Sequence, residues 1–246
     1  MLKLLSMVAA VIVWGALSLT LPPEIFPGPI ETARTLWGDI AGGEVWTDLV
    51  MTMLRVVAGL LLALILGVPV GILMGLSRRA EAVLDVWVMI GLTVPSLCYA
   101  IMAFIWFGLN EGAAVIAIAV TAAPSITINI WEGVKNIDTR LVAMARVFEA
   151  TRPAIVRRVL MPQIFPYVMA SARFGLGIIW KITVLVELIG RPNGVGFKLF
   201  YWYQLADMRQ VLAWTLLFTI IMLLIELVIL KPIERRVFAW RPQVAV

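Results

Sequence analysis

An all-α membrane protein with six transmembrane helices is the fold class that this sequence predicts, and three observations predict it. Hydrophobic residues make up 62% of the 246-residue chain and the mean hydropathy is +1.00, far above the apolar share of a soluble domain. Apolar runs recur that are long enough to cross a bilayer, which takes roughly 20 residues each. Five or six such runs leave no room for a sizeable soluble domain. Finally, basic residues crowd into alternate connections: Lys3, Arg78, Arg79, Lys135, Arg140, Arg146, Arg152, Arg157, Arg158, Lys231, Arg235, Arg236 and Arg241 fall on one side, against Arg34, Arg191, Lys198 and Arg209 on the other. This bias predicts both termini in the cytoplasm, and it reads the net charge of +5 as topology rather than as nucleic-acid binding.

The first predicted span is Leu4 to Leu21, with Lys3 before it and Pro22-Pro23 behind. A cleaved signal peptide is the rival reading, with Ala16-Leu-Ser18 resembling a cleavage site; the run continuing to Leu21 favours a retained span. Residues 22–46 are rich in Pro and Gly, with a helical patch from Ile30 to Ile40, and are expected outside. The second span, Val45 to Leu76, is longer than a crossing requires, so Arg55 near its outer end must meet water or a partner. Gly67, Gly71 and Gly75 repeat at four-residue spacing, which lets another helix backbone come close. Ser77-Arg-Arg-Ala-Glu81 is the inner turn.

Leu84 to Leu109 returns outward with Pro95 at mid-span, either a kink or a hinge beside a pathway. Asn110-Glu111-Gly112 turns the chain, and Ala113 to Trp131 descends. Tyr167 to Ile189 ascends, Arg191 to Arg209 lies outside around Gly194-Val-Gly196, and Val211 to Leu230 descends again. Trp46, Trp131, Trp202 and Trp214 sit near span ends, where interface anchoring is the expectation. The organisation is thus an N-terminal span and outer segment (1–46), a membrane core (47–231) and a cytoplasmic tail (232–246).

The charged stretch 134–166 interrupts the apolar runs. Each Arg at mid-bilayer costs about 2.5–3.5 kcal/mol, so this segment belongs in water. Asp138 or Thr139 can cap a short helix whose apolar positions Leu141, Met144, Ala145 and Phe148 form one stripe. A second helix starts at Thr151, with Pro153 in its first turn and a stop near Met161 and Pro162. A helix-turn-helix with an apolar strip and a basic face suits docking to another protein.

The run Ala143-Met-Ala145, three residues, Glu149, nine residues, then Val159-Leu-Met-Pro162 resembles the EAA loop of ABC-importer permeases, whose pattern is Glu-Ala-Ala, three residues, Gly, nine residues, Ile-x-Leu-Pro. Ala143 stands where the family often has Glu, and Glu149 where it has Gly, a residue that permits a left-handed backbone. Leu54-Arg55, Gly67-Val-Pro-Val-Gly71, Gly75, Pro95, Trp180, Glu187 and Gly194-Val-Gly196 extend the likeness to the nitrate, sulfonate and taurine importer group over Pro27 to Tyr203; Pro27-Gly-Pro29 also resembles a family feature.

The resemblance implies a type I importer permease in the bacterial inner membrane, non-catalytic, with the coupling helix between spans four and five. It implies cytoplasmic ATPase subunits docked on Leu141, Met144, Ala145, Arg146, Phe148, Glu149 and Ala150. ATP and Mg²⁺ would sit on those subunits, because this chain has no G-x-x-x-x-G-K-[ST] cradle and needs no cofactor of its own. A second permease copy or related chain, a solute-binding protein and surrounding lipid complete the expected partners.

Pathway candidates come from polar residues inside spans: Pro95, Thr127, Asn129, Trp180, Lys181, Thr183 and Glu187. At about 100° per residue, Arg173 and Glu187 fall within about 40° of each other, whereas Lys181 lies nearer Arg173 than Glu187, so Lys181 and Glu187 make no local pair. A cation facing a cavity suits an anionic solute. The alternative is an ion-coupled carrier or channel using Lys181 and Glu187 as a relay; the different loops of the two halves weaken it. With no His and one Cys, neither a metal site nor a membrane enzyme is expected.

Overall fold

The structure, a computed structural model, describes residues 2–43 and 45–232. The tail from 233 onward, with Arg235, Arg236 and Arg241, and the side chain of Lys3 lie outside them. All regular structure among the described residues is helical: α1 (Leu2–Ser18), α2 (Pro29–Gly42), α3 (Val45–Leu76), α4 (Arg78–Thr93), α5 (Ser96–Phe107), α6 (Glu111–Lys135), α7 (Thr139–Val147), α8 (Arg152–Ile155), α9 (Met161–Gly190), α10 (Val195–Gln204) and α11 (Met208–Leu224). A π-helical turn, Val156–Leu160, joins α8 to α9, and a second, Ile225–Leu230, extends α11.

Among the described residues, three helices are long and apolar enough to cross a membrane: α3, α6 and α11 with its extension to Leu230. A fourth crossing is available if α4 and α5 count as one, although they meet at 94°. Leu84 to Leu109 is therefore not the single run the sequence suggested. Pro95 follows Val94 in extended backbone, the conformation that a residue before proline prefers, and the helix restarts at Ser96. The Tyr99 hydroxyl donates to the Gly91 carbonyl at 3.0 Å across the break.

The second correction concerns Pro162. In place of a stop near Met161, the chain runs helically from Arg152 to Gly190. Pro162 lies in the first turn of α9, directly after the π turn, whose wider register accommodates the lost amide donor. α7 is thus a separate short helix, and the second helix of the charged stretch is the foot of α9.

The core centres on α3 packed against α6. Small residues explain the closeness: a Cβ built on Gly71 would lie 2.6 Å from the Thr127 carbonyl oxygen, and one on Gly75 would lie 2.5 Å from Val134. Gly67 faces Ile126 and the Ala123 carbonyl in the same way, and the alanines Ala114, Ala117 and Ala122 of α6 are buried. α9 and α5 close this core around Ile118, Ile126, Ile179 and Val186. A second cluster at the end where α3 begins joins α2, α10 and α11 through Leu36, Leu49, Val195 and Leu217. Trp214 is buried there rather than lying at the bundle surface, while Trp46 is exposed. Leu54, Leu61 and Ile65 of α3 point outward, as lipid-facing residues do.

Candidate functional site

α7 begins where predicted. Asp138 is its N-cap, accepting from the Arg140 N–H at 2.9 Å. Its other end closes with two backbone bonds, Glu149 N–H to the Arg146 carbonyl and Ala150 N–H to the Ala145 carbonyl, both at 3.0 Å. This is the Schellman arrangement, which calls for a left-handed residue just past the helix, and Glu149 occupies that place with φ 53°. The backbone shape that the family's glycine would permit is therefore present, held by a glutamate.

The apolar stripe points away from the bundle. Leu141, Met144, Val147 and Phe148 are exposed, Phe148 at 77%, while Ala145 and Ala150 are half-buried and Arg146 is exposed beside them. A short helix with no buried residue cannot hold itself in place by burial. A polar contact at its start ties it down instead. The Asp138 N–H donates to Gln163 Oε1 at 2.9 Å, and Gln163 Nε2 donates to the Val159 carbonyl at 3.1 Å, so one side chain clamps the cap of α7 to the foot of α9. Lys135, at the end of α6, pairs with Glu81 of α4 at 2.6 Å and lies over the Trp131 ring.

The intramembrane polar residues separate into groups. Lys181 is exposed on the α9 surface, on the same face as exposed Phe174 and beside Gly177, which has open space where a side chain would be. Trp180 is buried and stacked on Phe218, with ring centroids 3.9 Å apart. Thr183 is buried and donates back to the Ile179 carbonyl. The Thr127 hydroxyl lies 2.9 Å from the Ala123 carbonyl and 3.3 Å from the Gly67 carbonyl, stitching α6 to α3, and Asn129 donates to the Ser125 carbonyl. Pro95 is exposed at the α4–α5 break. Arg173 pairs with Glu226 in the π turn that extends α11.

Glu187 is fully buried and sits in a node that the sequence did not reveal as a unit. Its Oε1 accepts from Arg55 at 2.7 Å, and its Oε2 accepts from the Thr52 hydroxyl at 3.0 Å and the Gly196 N–H at 2.9 Å. Arg55, 2% exposed, also forks onto both oxygens of Glu111 at 2.8 Å and bonds the backbone carbonyl and side chain of Asn193. Arg191 pairs with Glu111 as well. Asp48 Oδ1 accepts from the Gly194 N–H at 2.7 Å, and the Thr52 hydroxyl accepts from the Val195 N–H at 2.9 Å. Gly194 has φ 108°, and a Cβ there would strike the Glu187 carboxylate. The ends of three helices and the α9–α10 loop are locked together. Neither Lys181 nor its neighbours join this node, so Lys181 and Glu187 form no relay here.

Of the node, sequence reading singled out Glu187, Arg55 and the Gly194-Val-Gly196 motif. Glu111, Arg191 and Asn193 were missed, because each looked like an ordinary loop residue.

Three comparisons bear on this geometry. Residues 67–237 match the family described as binding-protein-dependent transport system inner membrane component. A Bacillus subtilis relative named for aliphatic sulfonates transport, the permease protein SsuC, is 30% identical over 217 residues, covering 88% of this chain and 78% of its own. The taurine transport system permease protein TauC of Escherichia coli is 29% identical over 237 residues, covering 94% of this chain and 86% of its own. Among solved structures, a chain of the MetNI methionine ABC transporter in an inward-facing conformation superposes with a TM-score of 0.69 at 22% identity, over 78% of this chain and 95% of that one.

Proposed function

Since the chain belongs to the family of binding-protein-dependent transport system inner membrane components, and is an ABC-transporter permease, we propose that it couples ATP hydrolysis on partner subunits to import of a small anionic solute. The observation that carries this reading is α7: an exposed apolar helix, clamped by Gln163 to a helix that runs from Arg152 to the Glu187 node. ATPase subunits dock on Leu141, Met144, Ala145, Arg146 and Phe148, with Glu149 and Ala150 shaping the turn behind them. ATP and Mg²⁺ reside on those subunits. Their closure pushes α7, and α9 carries the push toward the opposite end of the bundle.

In this reading the chain crosses the bacterial inner membrane six times, counting α1, the bent α4–α5 pair and α9 with α3, α6 and the extended α11, and both termini are cytoplasmic. The α7 end faces the cytoplasm, in keeping with its basic residues. The end carrying α2 and α10 faces outward, where a solute-binding protein delivers cargo. A second copy or a related permease completes the pathway.

Exposed Lys181 supports an anionic cargo, as do the names of the two relatives, one for aliphatic sulfonates and one for taurine. We assign Lys181 to the pathway wall, with Pro95 and Asn129 as secondary candidates. Trp180, Thr127, Thr183 and Glu187, all buried and engaged, act by holding the helices that form that wall. The ion-coupled carrier reading has less support, since its two residues do not meet.

The test is co-purification of the detergent-solubilised chain with its cytoplasmic partners, wild type beside Phe148→Asp, followed by ATPase assay. An ATPase that accompanies wild type and is lost with Phe148→Asp is the expected result. No ATPase with either protein would overturn the reading. In proteoliposomes holding the intact complex, Lys181→Gln is expected to lower sulfonate uptake while ATPase binding persists. Unchanged uptake would remove Lys181 from the pathway.

A further inference from the structure

Between Tyr167 and Ile189, α9 carries the charged residues Arg173, Lys181 and Glu187, and two of them are matched inside the chain: Arg173 pairs with Glu226, and Glu187 is held by Arg55. Lys181 is exposed and makes no hydrogen bond or ion pair among the described residues. An ammonium inside a span is costly against lipid, so its counter-group comes from water or a solute. What lies beside it on the helix is apolar. Arg173 and Trp180 are turned toward Glu226 and Phe218, so the residues that follow them, Phe174 and Lys181, are rotated by about 100° onto the open face. These two fall within about 20° of one line along the helix and about 10 Å apart in rise. Gly177 lies between them, and a Cβ there would meet nothing within 4 Å. Phe174 is 54% exposed. The open face thus has a cation at one end, an aromatic ring at the other and bare backbone between.

We infer that Phe174 and Gly177 are specificity-determining residues of the pathway, selecting among the anions drawn to Lys181 an organic oxyanion with a short apolar body. The oxyanion meets the Lys181 ammonium, the body lies over Gly177 where a side chain would otherwise stand, and its far end contacts the Phe174 ring. A small inorganic anion reaches Lys181 but leaves the gap and the ring untouched, so it gains nothing from them. A zwitterion such as taurine brings a second ammonium over the apolar gap beside Lys181, where desolvation and like charge both oppose it. Each methylene moved out of water onto this face is worth about fourfold in affinity. The inference rests on the assignment of Lys181 to the pathway wall, and it adds two residues that act on the body of the solute rather than on its charge.

The test is thermal stabilisation by solute of the full chain in its native assembly, in detergent and without solute-binding protein, titrated with methanesulfonate, propanesulfonate or taurine. Propanesulfonate and taurine have the same length and differ in a terminal methyl against a terminal ammonium. Propanesulfonate is expected to bind about tenfold more tightly than either of the others. Phe174→Ala and Gly177→Leu should each bring it down to the affinity of methanesulfonate, whose own binding stays within about twofold of wild type. Lys181→Gln should weaken all three by about tenfold. Unfolding without solute verifies that each variant folds, and Gly177→Ala takes the place of the leucine variant if that one does not assemble. No stabilisation of wild type, equal affinity for propanesulfonate and either of the others, or a preference that survives in both variants overturns the proposal. If the preference survives there while Lys181→Gln loses binding, Lys181 keeps its place in the pathway and only the selectivity falls. If Lys181→Gln binds all three like wild type, the pathway assignment falls as well.

Discussion

Arg55 illustrates how much one residue can organise. A guanidinium in a span is tolerated only where partners neutralise it, and Arg55 has two carboxylates, Glu187 and Glu111, plus Asn193. Removing Glu187 strips Arg55 of its fully buried carboxylate, while Glu111 and Asn193 still hold the guanidinium. Glu187→Ala is therefore expected to cost about 1.5–3 kcal/mol, the worth of a hydrogen bond to a charged group, read as a fall in thermal unfolding temperature in detergent, whereas a drop no larger than that of a surface substitution would mean the node contributes little. The residue scale also marks where sequence reading stops. Arg55 at a span end demanded a partner, and the structure supplies one, but the partners lie 56 and 132 positions away and no local pattern joins them. Periodicity can say that a side chain is buried; it cannot say which distant carboxylate it meets. Trp214 makes the same point, since its position near a span end resembled an interface anchor until α2 and α10 covered it.

At the scale of elements, the features set by neighbours in sequence were legible. The Asp138 cap, the helical patch that became α2 and the glycine row of α3 all rest on short-range rules. The two prolines were read unequally, Pro95 as a bend and Pro162 as a stop, because proline removes a donor but does not dictate the response. After Pro95 the chain breaks by 94°, whereas before Pro162 it widens into a π turn and continues. The end of α7 was half-legible, because spacing marked position 149 as the family's glycine place while the residue itself did not. A non-glycine residue in the left-handed region costs about 1–2 kcal/mol. Glu149→Gly is accordingly expected to stabilise α7 by about 1 kcal/mol and to leave ATPase binding intact, measured by thermal unfolding of the purified chain and by co-purification. Loss of ATPase binding in this variant would show that the glutamate side chain itself makes contact.

For the whole molecule, the proposed coupling asks how a helix with no buried residue could move a bundle. α7 touches the rest through its cap, and α9 is the body it can act on, since the course from Arg152 to Gly190 spans about 55–60 Å at 1.5 Å per residue. At its far end α9 is fixed to α3 by Glu187 and, through Arg55 and Arg191 on Glu111, to α6, so a displacement at its foot meets an anchored lever rather than a loose strand. The Gln163 clamp is the joint. Its two hydrogen bonds are each worth only about 0.5–1.5 kcal/mol net, too little for the fold to depend on them. Gln163→Leu should thus leave the chain folded and its apolar docking stripe intact. In proteoliposomes carrying the assembled complex, the expected outcome is ATPase binding and basal hydrolysis close to wild type with solute uptake per ATP reduced several-fold. If uptake and hydrolysis fall together, Gln163 serves docking rather than transmission; if neither changes, the push reaches α9 through the backbone of the α7–α8 turn, where Glu149 holds the chain in its left-handed bend.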